Sequence, residues 1–125
     1  MEMYDPNQEP SPDYWKSLDE AERIELVMTY HTIAGVEPPD EHLHAVIHVI
    51  VENQVALGDE TPVKATLDRL MSEGLDRHDS IHAIGSVLLN HVYELLSAGG
   101  DVRGNEEYFE ELKQLSAADW LRGGM

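Results

Sequence analysis

Apolar positions recur along this chain at steps of three and four, and nowhere do they keep the strict alternation of a half-buried strand. Ile24, Val27, Met28 and His31 fall near one face of a first helix, expected over about Leu18 to Ala34. Ser17 followed by Glu20 reads as its capping box, and Gly35 permits the left-handed turn that stops it. Asp40 caps a second helix running to about Leu57, ahead of Gly58; Thr61 and Pro62 open a third that Gly74 ends. Asp76 caps a fourth, carried to about Ser97 and broken by Gly99 and Gly100.

Pro6, Pro10 and Pro12 stand among acidic and polar residues, so residues 1–16 read as an irregular or disordered lead-in. Beyond the fourth helix, Tyr108, Leu112 and Leu115 keep helical spacing, which predicts one or two short helices. The expected architecture is all-α: an up-down four-helix bundle over residues 17–98, with a short helical C-terminal tail over 99–125 packed on or beside it.

Helical phase points several histidines into that bundle. At about 100° per residue, with His44 at zero, His48 falls near +40°, Val51 near -20°, Val55 near +20° and Glu52 near +80°. On the fourth helix, with His78 at zero, His82 falls near +40° beside Gly85, Leu89, Val92 and Leu96, whereas His91 falls near -140° and is set aside. His42 lies on the other side of its helix and is expected in solvent. An up-down topology would run helices two and four parallel, with His44 and His48 overlapping His78 and His82 in height. His31, one turn before Gly35, would reach the same end.

Composition then narrows the chemistry. The chain has 125 residues, enough for one compact domain. Its 25 acidic and 8 basic residues give a formal charge of -17, which repels phosphate backbones and anionic lipid and argues against nucleic-acid and membrane partners. Cysteine is absent, so any metal must be held by nitrogen and oxygen. The first residues lack a signal-peptide pattern and no apolar run approaches a membrane span, which makes a cytoplasmic location the expectation.

Histidines four residues apart on a helix can reach one cation without bending the backbone. Two such pairs, His44 with His48 and His78 with His82, therefore suggest a metal site, with His31 and Glu52 as supplementary ligands. Glu52 has two other readings, a carboxylate that orients an imidazole or a surface acid. Several buried imidazoles need a partner for each ring nitrogen, which one divalent cation supplies to three or four of them together. Such ligands suit zinc, iron, nickel or copper rather than calcium or magnesium. Ala45 and Asp79 follow the leading histidines, so this is not the H-E-x-x-H protease pattern.

The segment His44 to Leu96 resembles a family of small, uncharacterised bacterial proteins known only as a domain of unknown function. The similarity lies in H-x3-H-x3-E, here His44, His48 and Glu52, followed by H-x3-H-A-I, here His78, His82, Ala83 and Ile84. In that pattern a glutamate often follows the second pair by four residues; here Ser86 stands there, leaving Glu52 as the one carboxylate carried over. The resemblance implies a helical architecture and shared histidine positions, and no activity.

The leading functional expectation is a small helical protein that binds a divalent transition metal. No separate general base, nucleophile or cofactor fingerprint selects a reaction. The alternative is an acidic protein-interaction module, or a homo-oligomer, with a metal-free polar histidine core. Tyr108, Phe109, Leu112 and Trp120 would then form a contact surface, although packing against the bundle is the simpler and favoured reading of them.

Overall fold

The computed structural model describes residues 3–35, 40–97 and 106–123, and among them the regular structure is helical, with no strand. The elements are α1 (Pro12–Ser17), α2 (Glu20–Ala34), α3 (Glu41–Ala56), a 3₁₀ turn (Gly58–Glu60), α4 (Val63–Ser72), α5 (Arg77–Ser97), α6 (Glu106–Gln114) and α7 (Ala117–Gly123). The helices pack on one another as an all-α bundle, as the apolar spacing predicts. No described helix is long and apolar enough to cross a membrane.

Helix boundaries follow local chemistry. The capping box of α2 is formed by Asp19 and Glu22 rather than Ser17 and Glu20. Ser17 instead ends α1, where its hydroxyl donates to the Tyr14 carbonyl. Asp40 accepts from the Leu43 N–H at the start of α3, and Asp76 accepts from the Asp79 N–H at the start of α5, both as expected. Gly35 closes α2 in the left-handed region at φ 76°. The connector at 36–39 and the Gly99–Gly100 break lie outside the described residues.

The stretch expected to be irregular contributes to the core. Residues 12–17 form α1, and Tyr4 and Trp15 are buried with Leu26, Val27, Ala45 and Val49. The Trp15 indole donates to Asn53 Oδ1 at 2.8 Å, an oxygen that also accepts from Arg23 at 2.9 Å. Two buried aromatic side chains carry enough apolar area to seat a segment that is otherwise rich in polar residues and proline.

Helix α3 lies at the centre and packs against α1, α2, α4 and α5. Its Val51 and Val55 enter a second cluster with Leu67, Leu70, Ile81 and Ile84, while Ala45 and Val49 face the first. By helical phase, the His44, His48 and Glu52 stripe runs between those two apolar faces. That placement lets one helix bury both clusters and carry polar groups along their seam.

The direction of α5 corrects the parallel arrangement. Glu52 meets Arg77, His48 meets His78 and His82, and Ile47 lies against Gly85, so α3 and α5 run antiparallel. The ten-residue α4 is shorter than the helices it links, and the chain folds back instead of starting another matching leg. Gly85 sets the closeness of the crossing: a β-carbon there would stand 2.8 Å from Ile47 Cγ2. Only a residue without a side chain admits α3 this near without displacing Ile47.

The buried face of α5 is also turned from the expected one. Ile81, Ile84, Leu88 and His91 are buried, whereas Leu89, Val92, Tyr93 and Leu96 are exposed. The tail explains the rotation, because Tyr108 and Leu112 of α6 bury themselves against the opposite side of α5 and Tyr108 stacks on His91. Tyr108 and Leu112 are therefore core residues, with Phe109 and Trp120 half-buried beside them.

Candidate metal centre

The rotation of α5 leaves His78 and His82 at the edge of its buried face, where they meet α2 and α3. His31, His44, His48, His78 and His82 form one group of rings, with neighbouring centroids 4.3–5.8 Å apart. His42 is exposed and takes no part.

Four of these side chains, His31, His48, His78 and His82, have ligand nitrogens that all lie within 4.8 Å of one another and could hold a metal ion. The His48 and His82 Nε2 atoms are 3.0 Å apart, as are those of His44 and His31. Metal–nitrogen bonds of roughly 2.0–2.1 Å place tetrahedral ligands about 3.3 Å apart, so small shifts would bring the four around a cation. His44 adjoins this group through His31 and is not one of the four.

Hydrogen bonding fixes two of the tautomers. His31 Nδ1 lies 2.8 Å from the Val27 carbonyl, which can only accept, so the proton is on Nδ1 and neutral His31 presents a lone pair at Nε2. His48 Nδ1 lies 3.3 Å from the Tyr4 hydroxyl, whose own proton goes to Glu52 Oε2 at 2.6 Å. The hydroxyl therefore accepts from His48 Nδ1–H, and the His48 lone pair also sits at Nε2. Both imidazoles present an unprotonated nitrogen toward their neighbours, as a ligand requires.

Glu52 stands behind this arrangement. It is 2 % exposed, which excludes the surface-acid reading, and Arg77 grips both its oxygens at 2.8 and 2.7 Å. Arg77 also donates to the Pro6 carbonyl, and Asn7 accepts from the His78 N–H. Burial opposes the Arg77 charge, but the hydrogen bond and charge of Glu52 outweigh it and leave the guanidinium pKa raised. Burial, with the neighbouring Glu52, pushes the Tyr4 phenol well up, so Tyr4 keeps its proton. Sequence spacing offered Glu52 as a ligand; the structure engages it with Arg77 and Tyr4 and links it to His48 through the phenol.

Burial favours the neutral form of His44, His48, His78 and His82. It pulls His44 and His82 down to about 4, assisted by the surrounding imidazoles, and lowers His48 and His78 in the same way. His78 Nε2 is buried with no hydrogen-bond partner, a condition that costs about 1–3 kcal/mol unless something else meets the ring nitrogen. Tyr30 closes one side, edge-on to both His31 and His78.

Tyr4 and Arg77 were not legible as part of the site. The three aromatics of the lead-in, Tyr4, Tyr14 and Trp15, are the available hint that this segment docks, and two of them, Tyr4 and Trp15, are buried. No protein-family model matches the chain, and neither a curated protein nor a solved structure matches it.

Proposed function

We propose that this protein binds a divalent transition metal through His31, His48, His78 and His82, with His44 as an adjoining fifth imidazole. The observation that carries this reading is the convergence of four buried or half-buried imidazoles from three helices, their ligand nitrogens within 4.8 Å. The two fixed tautomers support it, because each provides a lone pair where a cation would use one, and so does the His78 Nε2, which is buried without a hydrogen-bond partner. An all-nitrogen set suits zinc, iron, nickel or copper. Glu52 acts on this reading as the carboxylate that orients His48 through Tyr4, with Arg77 holding it in place.

The histidine geometry supports metal binding and favours no particular reaction. A cytoplasmic location and kinship with the uncharacterised bacterial family belong to the same proposal. Metal analysis by mass spectrometry on tag-free protein, beside a His48→Ala/His82→Ala variant, tests it. Near-stoichiometric metal in the parent and its loss from the folded variant are expected; a parent that stays metal-free after reconstitution overturns the reading.

A second reading, a self-associating or partner-binding module, draws on the exposed Leu89, Tyr93 and Leu96 of α5. Light scattering on the purified protein, with Leu96→Lys as control, distinguishes a dimer through that stripe from a monomer.

A further inference from the structure

A cavity of about 400 Å³ adjoins the histidines, with His44, His48 and His82 in its wall. Its depth follows from burial: His48 is enclosed, while Leu43 and Leu89 at the mouth are about two-fifths exposed. Ile47, Ile81 and Trp120 complete an apolar lining. Packed interiors leave few voids larger than a water molecule, and a cavity of about 150 Å³ suffices for benzene. A space this large beside a ligand cluster is a chamber, not a packing fault.

The polar groups of the wall decide what fits. The Asp40 side chain caps α3, and the Ser86 hydroxyl donates to the Ala83 carbonyl, so both serve the protein's own backbone. The imidazoles, and a cation held among them, are then the strongest polar contacts open to a guest. A sugar or nucleotide would lose hydration at many atoms and recover few hydrogen bonds. The formal charge of -17 further disfavours anionic guests.

We propose that the cavity receives a small, uncharged and largely apolar molecule bearing one metal-coordinating head group, which adds to the four imidazoles as a fifth ligand while its body lies along Ile47, Ile81 and Trp120. The proposal rests on the metal reading above. Tail helix α7 supplies Trp120 and so takes part in ligand selection.

The test uses full-length protein loaded with cobalt(II), whose visible absorption reports on coordination, titrated separately with 4-phenylimidazole and imidazole. Both carry the same kind of head, and only the first has an apolar body. Saturation by 4-phenylimidazole at a concentration at least about tenfold lower is expected, with cobalt retained after dialysis. Leu89→Trp at the exposed rim should keep cobalt and abolish the preference; Leu43→Trp, also at the mouth, gives the same readout if Leu89→Trp does not fold. Cobalt binding with equal or absent responses to the two probes overturns the chamber proposal and leaves the metal reading standing, as does a preference that survives in a folded variant. Failure to take up cobalt overturns both.

Discussion

His48 Nε2 stands 3.0 Å from His82 Nε2 across the α3–α5 crossing, and the proton on His48 is already committed to Tyr4 on the far side of its ring. Without a cation, His82 must donate in this contact; with one, both nitrogens become ligands. Addition of zinc to chelated protein should therefore raise the melting temperature. At one hundred times the dissociation constant the gain is about 2.7 kcal/mol. A melting temperature indifferent to zinc and to chelator would contradict a site formed in the native state.

Individual histidines should rank unequally. His82→Ala removes a member of the group of four and should weaken metal binding by more than about 100-fold, beyond the usual effect of losing an outer partner. His44→Ala leaves the four in place and should cost about tenfold or less. Competition titrations with a chromophoric chelator give both values. The reverse ranking would place the ion toward α2 and the start of α3.

Tyr4→Phe removes one hydroxyl and little volume. It strips the acceptor from His48 Nδ1–H and a donor from Glu52, so metal affinity should fall about 10–100-fold while the fold loses only about 1–2 kcal/mol. Unchanged affinity would mean that the phenol serves packing alone.

Arg77→Ala leaves the Glu52 carboxylate buried without its main counter-charge and should destabilise the protein by about 3–5 kcal/mol in urea unfolding. Arg77→Ala/Glu52→Gln should recover part of that loss, since no buried charge is then left alone. Equal destabilisation by the single and double variants would disprove the coupling.

Acid should unfold the metal-free protein early. The folded pKa values of His44, His48, His78 and His82 are lowered, first by burial and then by neighbouring imidazoles. The unfolded chain therefore takes up protons before the folded one does. The stability from neutral rings is complete above about pH 6.5 and declines as pH falls from there toward about 4, the folded value of His44 and His82. Each well-buried ring contributes a slope of up to about 1.4 kcal/mol per pH unit, and the half-exposed ones less. Melting curves between pH 7 and 4.5, with and without zinc, measure it; a flat profile in chelator would show that the rings are hydrated in the folded state.

The histidines were legible in sequence because i, i+4 spacing survives any rearrangement of whole helices. His31, His48 and the pair on α5 meet as the spacing suggests, although the parallel packing used to align them is reversed. Antiparallel α5 still aligns the pairs because Gly85 lets α3 approach closely, and that depends on Ile47 across the interface rather than on the local sequence. The buried face of α5 was misread because α6 covers its other side, and a helix's apolar stripe does not announce which neighbour will claim it. Tyr4 and Arg77 were hidden for the same reason: their partner Glu52 is 48 and 25 positions away.

The N-terminal segment touches the site at three points: Tyr4 to Glu52, Pro6 to Arg77 and Asn7 to His78. The last two join residues 71 positions apart, so these contacts wait until α5 has been made and packed. Tyr4 must wait for Glu52, and Pro6 and Asn7 must wait for α5. The group of four histidines is thus complete only when α5 joins α2 and α3, and the centre matures with the domain instead of with the α2–α3 hairpin alone.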